Sequence, residues 1–428
     1  MSRYSTNKEA WEKIFEKYNI LEKIEKQGFF KISSKEINEY REARLMTKFD
    51  NSESIPEILK KNKLSILPIS SNSYMIARFN TYKKFEQAPK EIERREFPSY
   101  IESLDYNNIS SEAVALNCAY ITNILRDFLE EEELFPTVSG KMGSGIFSFD
   151  IVQINTNEKI NVIVENSRME IDGGYEGLNC LALVEAKNVV SEDFLVRQLY
   201  YPYRVWKSRV TKKVRPIYVV YTNGIFTIYE YKFNDINEYS SIELVRCKKY
   251  SIEDTDIDLG TIQKLINNVD KFVEEPKISF PQANSFERVI NLCELLQNSE
   301  KKKQEITDNY EFVDRQTNYY TDAAIYLGLV KKYGTRTKKF ELTDFGKRIL
   351  SLNYKSRQIE FAKLILSHKV FYMTIKNYFE KAEMPSDNEI VKYMKECELY
   401  NICKDTTYYR RASTIKAWIY WIINLVTE

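Results

Sequence analysis

Met169-Glu-Ile-Asp-Gly-Gly-Tyr-Glu-Gly-Leu-Asn-Cys-Leu-Ala-Leu-Val-Glu-Ala-Lys187 is the stretch on which the fold turns. Its apolar run Leu181–Val184 reads as a buried strand that ends on Glu185 and Lys187. Two residues apart on a strand, those side chains leave one face while Ala186 points to the other. Asp172 lies upstream, behind a preceding strand and beside Gly173-Gly174. A hairpin there sets its carboxylate next to Glu185, and two carboxylates from different strands suit a hard divalent cation such as Mg²⁺. A lysine beside them orients or activates a water, which with a metal is the equipment of phosphodiester hydrolysis. The E-x-K spacing recurs at Glu230-Tyr-Lys232, Glu275-Pro-Lys277 and Glu300-Lys-Lys302. Only Glu185 combines an apolar strand in front, an upstream Asp with glycines and a following helical stretch.

Outward from this stretch, Ser110/Ser111 cap one long helix through Phe128, closing in the acidic run Glu130–Glu133. Strand-like segments follow at Gly145–Ile154, Lys159–Glu165 and Cys180–Lys187, then a helix over about 191–209. Strands Arg215–Tyr221 and Ile225–Phe233 are joined by Thr222-Asn223-Gly224. Before this series, residues 7–27 carry Trp11, Ile14, Phe15, Tyr18, Leu21 and Ile24 at helical spacing, and 64–79 read as two strands. After it, 251–285 is polar with Pro276 and Pro281, and the remainder is mostly helical. The expected division is a 1–107 α+β region, a 108–250 α/β unit, a 251–285 linker and a 286–428 helical unit.

Composition narrows the chemistry. Of 428 residues a single one, His368, is histidine, which excludes two-imidazole relays, His-based zinc sites and two-histidine iron centres. The six cysteines are scattered without a C-x-x-C pair, so neither a zinc ribbon nor a disulfide framework is expected. Lys+Arg and Asp+Glu number 63 and 62, so any attraction to nucleic acid must be local. No phosphate-binding G-x-x-x-x-G-K-S/T loop is present, which excludes an ATP-driven motor within this sequence. With neither an apolar span nor an apolar signal core at Met1–Tyr4, a soluble cytoplasmic protein without membrane contact is expected.

The helix, three strands, helix, strand order with an Asp…Glu-x-Lys signature resembles the PD-(D/E)XK nuclease superfamily over about residues 108–235. That resemblance implies a mixed α/β restriction-endonuclease-like core, Asp172 and Glu185 as Mg²⁺ ligands joined by the Ala186 carbonyl, and Lys187 as the catalytic lysine. Ile171 stands where the superfamily often has proline, which leaves Glu176 and Asp150 as rivals for the first carboxylate. Gln198 and Tyr201 are similar to the glutamine and tyrosine that approach the active centre and DNA backbone in such nucleases. Tyr200, Tyr203 and Trp206 read as packing residues. From Arg204 and Lys207 through Arg209, Lys212 and Lys213 to Arg215 runs a strip without an acid, suited to phosphates.

Residues 319–350 resemble a winged-helix module: a helix with Tyr320, Ala323, Ala324 and Leu327 on one face, a basic hairpin around Gly334, and a helix start at Leu342–Gly346. Lys331, Lys332, Arg336, Lys338 and Lys339 on or near the wing suit phosphate contacts, which position without specifying sequence. A nuclease core joined to such a module resembles type II restriction endonucleases, and Arg44–Asp50, Leu64–Ile69 and Gln198–Arg204 are similar to segments of uncharacterised proteins assigned to that group. The resemblance implies Mg²⁺-dependent cleavage of double-stranded DNA at a short sequence leaving 5′-phosphate and 3′-hydroxyl ends. It also implies a homodimer on DNA and a cognate DNA methyltransferase as genetic partner. A non-catalytic DNA-binding scaffold that keeps the fold, and a structure-directed repair nuclease, stay open beside it.

Overall fold

The computed structural model describes residues 6–310, 314–335, 337–402 and 404–427. At the amino end, α1 (Asn7–Tyr18) and α2 (Ile20–Gln27) are separated by Asn19 in the left-handed region (φ 47°). They bury Trp11, Ile14, Phe15, Ile20 and Ile24 in one cluster with Ile32, Ile66 and Ile76. The last three belong to β1 (Phe29–Ser33), β2 (Ser65–Pro68) and β3 (Ser73–Ala77), an antiparallel sheet with β3 in the middle.

The central unit begins with two helices where the sequence reading expects one. Ser111 caps α3 (Glu112–Ile121) by accepting from the Val114 amide, and Asn123 (φ 60°) turns the chain into α4 (Ile124–Leu129). Glu130 (φ 56°) ends it. Then come β4 (Leu134–Gly143), β5 (Ile146–Val152), β6 (Lys159–Glu165), β7 (Arg168–Gly177) and β8 (Cys180–Lys187). They are followed by α5 (Arg197–Lys207), β9 (Lys213–Thr222), β10 (Ile225–Phe233) and β11 (Ile242–Ser251). One sheet runs Ile92–Arg94, β11, β10, β9, β8, β7, β4. It is mixed: β8 and β9 are parallel across the α5 crossover, while β4, β7 and β8 form an antiparallel meander.

Here the expected strand assignment needs correction. Gly145–Ile154 and Lys159–Glu165 are not strands of this sheet but a separate hairpin, β5 with β6. The place beside β8 on that side belongs to β7, with β4 beyond it at the edge. The pattern misled because β4 is an edge strand: Leu134 is its only buried residue, and Pro136 sits where an edge tolerates a missing N–H. The hairpin, with Phe149, Ile151, Val162 and Val164 buried, shows the alternation expected of a sheet strand.

Both faces of the sheet are covered. Ala182, Val184 and Ala186 pack with Ile217 and Val219 against Leu116, Leu125 and Phe128 of α3 and α4. On the opposite face, Leu181 and Leu183 lie with Ile171 and Val214 beneath Tyr203 and Trp206 of α5. Arg215 and Glu230 form a buried bidentate pair (2.8 and 2.7 Å) between β9 and β10, joined by Arg246 Nε at 2.9 Å. Glu230-Tyr-Lys232 is thereby structural.

Ser251 is fully buried at the end of β11, and Ile257 is already fully buried in the carboxy-terminal core. The polar stretch that follows is part of that core, with Ile262 and Ile266 of α6 (Leu259–Asn267), Phe280 and Ala283 all buried in it. Next are α7 (Phe286–Leu295), β12 (Lys301–Lys302), α8 (Lys303–Tyr310), α9 (Asp314–Tyr326), β13 (Val330–Tyr333), β14 (Lys339–Leu342) and α10 (Asp344–Leu350). The small sheet has the order β12, β14, β13. Helices Tyr354–Leu366, Lys369–Lys381, Asp387–Glu396 and Asp405–Ile423 complete the unit. Trp418, fully buried, donates to the Ala283 carbonyl (2.7 Å). Among the described residues, no helix is long and apolar enough to cross a membrane.

Candidate active site

Strand β8 carries an apolar face to its end and then changes character. Leu181 and Leu183 are covered by Tyr203 and Trp206 of α5, and the next two positions on that face are the polar Glu185, still buried, and Lys187. The β7–β8 ladder pairs Leu181 with Glu176 through Val184 with Gly173, and stops there. The register between β4 and β7 slips between Gly174 and Ile171, a bulge that re-aims the intervening side chain. Asp172 therefore replaces the next rung with its carboxylate: Oδ2 accepts the Ala186 N–H at 2.8 Å. Gly174 has no space for a side chain, since a Cβ would lie 2.7 Å from the Val138 Cβ and 2.9 Å from its carbonyl oxygen.

Glu185 is 7% exposed, and its Oε1 accepts from Lys187 Nζ (2.6 Å) and from Gln198 Nε2 (2.5 Å) at the start of α5. Burial pushes the Glu185 carboxyl up to about 8, with the Asp172 charge acting in the same direction and Lys187 opposing both. Burial works against the Lys187 charge, but the neighbouring Glu185 and Asp50 acids outweigh it and hold the ammonium well above the ordinary lysine range. The Gln198 Oε1 is buried and has no hydrogen-bond partner. With two hard carboxylates, the Ala186 carbonyl and this orphaned amide oxygen, the donor set fits a magnesium-like cation, which takes one or two carboxylates and keeps waters. Among the described residues, no group of three or more His, Cys, Asp or Glu is placed to hold a metal by side chains alone.

Of the three candidate first carboxylates, Asp172 stands beside Glu185. Glu176 lies at the other end of the ladder and is bound by Lys212 Nζ (2.8 Å). Asp150 is on β5 and accepts from Asn161 Nδ2 (2.8 Å). Tyr201 does not approach the centre: it is fully buried, and its hydroxyl donates to the Pro68 carbonyl (2.9 Å). Tyr200 is also fully buried, as its apolar spacing suggests.

The basic strip from the last turn of α5 into β9 is largely committed elsewhere. Arg215 is in the buried pair, Lys212 holds Glu176 and the Gly177 carbonyl, and Arg204 is bonded to Asn237 Oδ1 (3.1 Å) and the Ile236 carbonyl. Lys207 and Arg209 are exposed, with the Arg209 guanidinium 5.3 Å from the Trp206 ring. On the β13–β14 hairpin, Lys331 pairs with Glu341 (2.7 Å) and Lys339 with Glu300. Lys332 and Lys338 are exposed, with Lys332 over the Phe340 ring at 5.7 Å. Arg336 lies outside the described residues.

Two acids near the centre escaped the sequence reading. Glu112 is the first residue of α3, where a carboxylate serves the helix start, and its Oε1 is 3.8 Å from Lys187 Nζ. Burial raises its pKa, against the pull of Lys187. Asp50 belongs to the amino-terminal unit, and only the folded chain brings its charge to bear on Glu185 and Lys187. The Ser111 cap, which puts the next residue at a helix start, offered a clue to Glu112; Asp50 closes the segment Arg44–Asp50, but nothing in the sequence ties it to Glu185 or Lys187. Glu112 and Asp50 line a cavity of about 440 Å³ with Lys187, Tyr218, Asn291 and Arg357, walled by all three units. The units are also bonded to one another. The Ser52 amide donates to Asp193 (2.8 Å), and Glu53 accepts from Arg288 (2.9 Å) and Gln316 (3.0 Å).

Three family models match the chain in succession. Residues 8–76 match Domain of unknown function (DUF6996), residues 77–251 match Domain of unknown function (DUF6997), and residues 288–427 match Domain of unknown function (DUF7226). No curated protein and no solved structure matches the chain. The carboxylate–lysine centre falls within the second match, and the cavity in front of it is bounded by residues from all three.

Proposed function

We propose that the chain is a type II restriction endonuclease of the PD-(D/E)XK superfamily, hydrolysing duplex DNA at a short specific sequence to leave 5′-phosphate and 3′-hydroxyl ends. The observation that carries this reading is the meeting of Asp172, Glu185, Lys187 and Gln198 at the carboxy-terminal end of β8. The strand order β4, β7, β8, β9, with α3 in front and α5 crossing between parallel β8 and β9, supports it, since that is the arrangement of the superfamily core. The order helix, strand, two helices, hairpin from α7 to β14 likewise agrees with a winged helix, and so supports contact with DNA.

In this reading Asp172, Glu185 and the Ala186 carbonyl would hold Mg²⁺, which when bound would supply Lewis acidity and a water of lowered pKa. Lys187, kept cationic by its carboxylates, places a positive charge and a donor where a phosphate oxygen or the attacking water lies. Gln198 fixes the orientation of Glu185, and Asp172 keeps its second oxygen available because one oxygen satisfies the Ala186 amide. One centre cuts one strand, so a double-strand break needs two copies or two encounters. A cognate DNA methyltransferase is the expected genetic partner.

The test is purified protein on unmodified plasmid with Mg²⁺. Discrete fragments that vanish in Lys187→Ala support the reading, and duplex binding without any cleavage refutes it in favour of a scaffold. Cleavage that follows flaps or mismatches, with no consensus on run-off mapping, assigns the centre to a structure-directed nuclease instead.

A further inference from the structure

The parallel pair β8 and β9 ends on one side of the sheet, and helix α7 of the carboxy-terminal unit grips both ends. From one face of that helix, Asn291 and Glu294 reach them. Asn291 is 4% exposed and uses its whole amide: Nδ2 donates to the Asn188 carbonyl (2.8 Å) and to Glu294 Oε2 (3.1 Å), while Oδ1 accepts from the Val190 N–H (3.2 Å). It thus pairs with the backbone immediately after Lys187 as a neighbouring strand would. Glu294 Oε1 accepts the Asn223 N–H (2.8 Å) in the β9–β10 turn, whose side chain is held in turn by Gln358 (2.9 Å) and Arg357 (3.2 Å).

We propose that this grip couples DNA engagement by the carboxy-terminal unit to the carboxylate–lysine centre, with Asn291 as the positioning residue for Lys187. The inference rests on the nuclease reading above and adds its control: β8 runs out at Lys187, and the segment that fixes the lysine's backbone is held by a side chain of another unit. Seating that unit on duplex DNA then tightens the grip, and a shift of the strand end by about 1 Å is enough to lower a positioned reaction about 100-fold.

Three full-length proteins test this: wild type, Asn291→Leu and Thr414→Val. Thr414→Val removes a hydrogen bond from the buried Thr414 to the exposed Asn284 within the same unit, so it controls for stability alone. In single-turnover cleavage, Asn291→Leu should lose about 100-fold in rate with duplex Kd unchanged within about twofold, while Thr414→Val changes neither. Amide hydrogen exchange of residues 187–191 should slow when wild type binds duplex, and not when Asn291→Leu does. A wild-type cleavage rate in Asn291→Leu, a loss matched by Thr414→Val, or exchange indifferent to DNA overturns the coupling. Wild type that binds duplex, shows the exchange response and cleaves nothing refutes the nuclease reading but supports the coupling; failure to bind duplex refutes both. If Asn291→Leu does not fold, Asn291→Gln, with the same groups set one methylene too far, takes its place with the same expected split.

Discussion

Asp172→Asn separates the charge of this residue from its structural work. In the folded chain, Oδ2 accepts the Ala186 N–H at 2.8 Å, and an amide oxygen serves that bond as well, apart from the charge assistance. The loss is about 1 kcal/mol, a melting shift of about 2–4 °C. The catalytic loss has another scale. Removing residues that merely brace metal ligands costs about 10–100-fold, so removing the charge of one of the two proposed carboxylate ligands should cost at least about 100-fold. That is about 2.7 kcal/mol at 1.36 kcal/mol per decade. The assay is single-turnover nicking of supercoiled plasmid across a Mg²⁺ titration, with a thermal melt of each protein. Glu176→Gln and Asp150→Asn run beside it; bound to Lys212 and Asn161 respectively, both should cleave like wild type. Full activity in Asp172→Asn, with loss in either of the others, refutes the assignment.

Glu230 supplies a pH prediction. Burial alone would raise its pKa, but the Arg215 and Arg246 guanidiniums outweigh burial and hold it below the ordinary carboxylate range. A folded pKa below the unfolded one means that the stabilisation is complete above about pH 4.3 and is lost as pH falls through the folded value. Glu230→Gln should therefore flatten the acid limb of a melting-temperature profile while costing about 3–5 kcal/mol at neutral pH, because Arg215 is left buried without its counter-charge; an unchanged limb contradicts this. Gly174→Ala forces a Cβ to within 2.9 Å of the Val138 carbonyl oxygen, and urea denaturation should show about 1–3 kcal/mol of destabilisation. An unmoved midpoint means that β4 gives way freely. On the β13–β14 hairpin, the Lys332→Ala and Lys338→Ala double variant should lower the salt slope of duplex binding by about 2. The Lys331→Ala and Lys339→Ala pair, already committed to Glu341 and Glu300, should lower it by less than about 1, and equal slopes refute the distinction.

The legible part of the site was its strand. An apolar run that ends in Glu185 and Lys187 fixes their common face by backbone geometry alone, and the glycines before it mark where β7 bends. Asp50 and Asn291 were not legible, since the amino-terminal unit brings one and a helix about a hundred residues downstream brings the other. The misreading of β4 has a local cause: an edge strand facing water carries the polar, Pro-containing pattern of a loop. The basic strip misled in the opposite sense. Arg215 and Lys212 look like phosphate contacts in sequence, yet Glu230 and Glu176, distant along the chain, take them up. Charge counts along a chain record supply and leave the pairing to the fold.

The buried anchors Ser251 and Ile257 set the leash between the central and carboxy-terminal units. Six Cα steps at about 3.3–3.6 Å reach roughly 20 Å when fully extended. Along a duplex, at about 3.4 Å per base pair, that slack amounts to some six base pairs. A carboxy-terminal unit that leaves its seat thus drifts by no more than that slack, and in the proposed nuclease the chain itself limits how far the offset between a contacted sequence and the cut can vary.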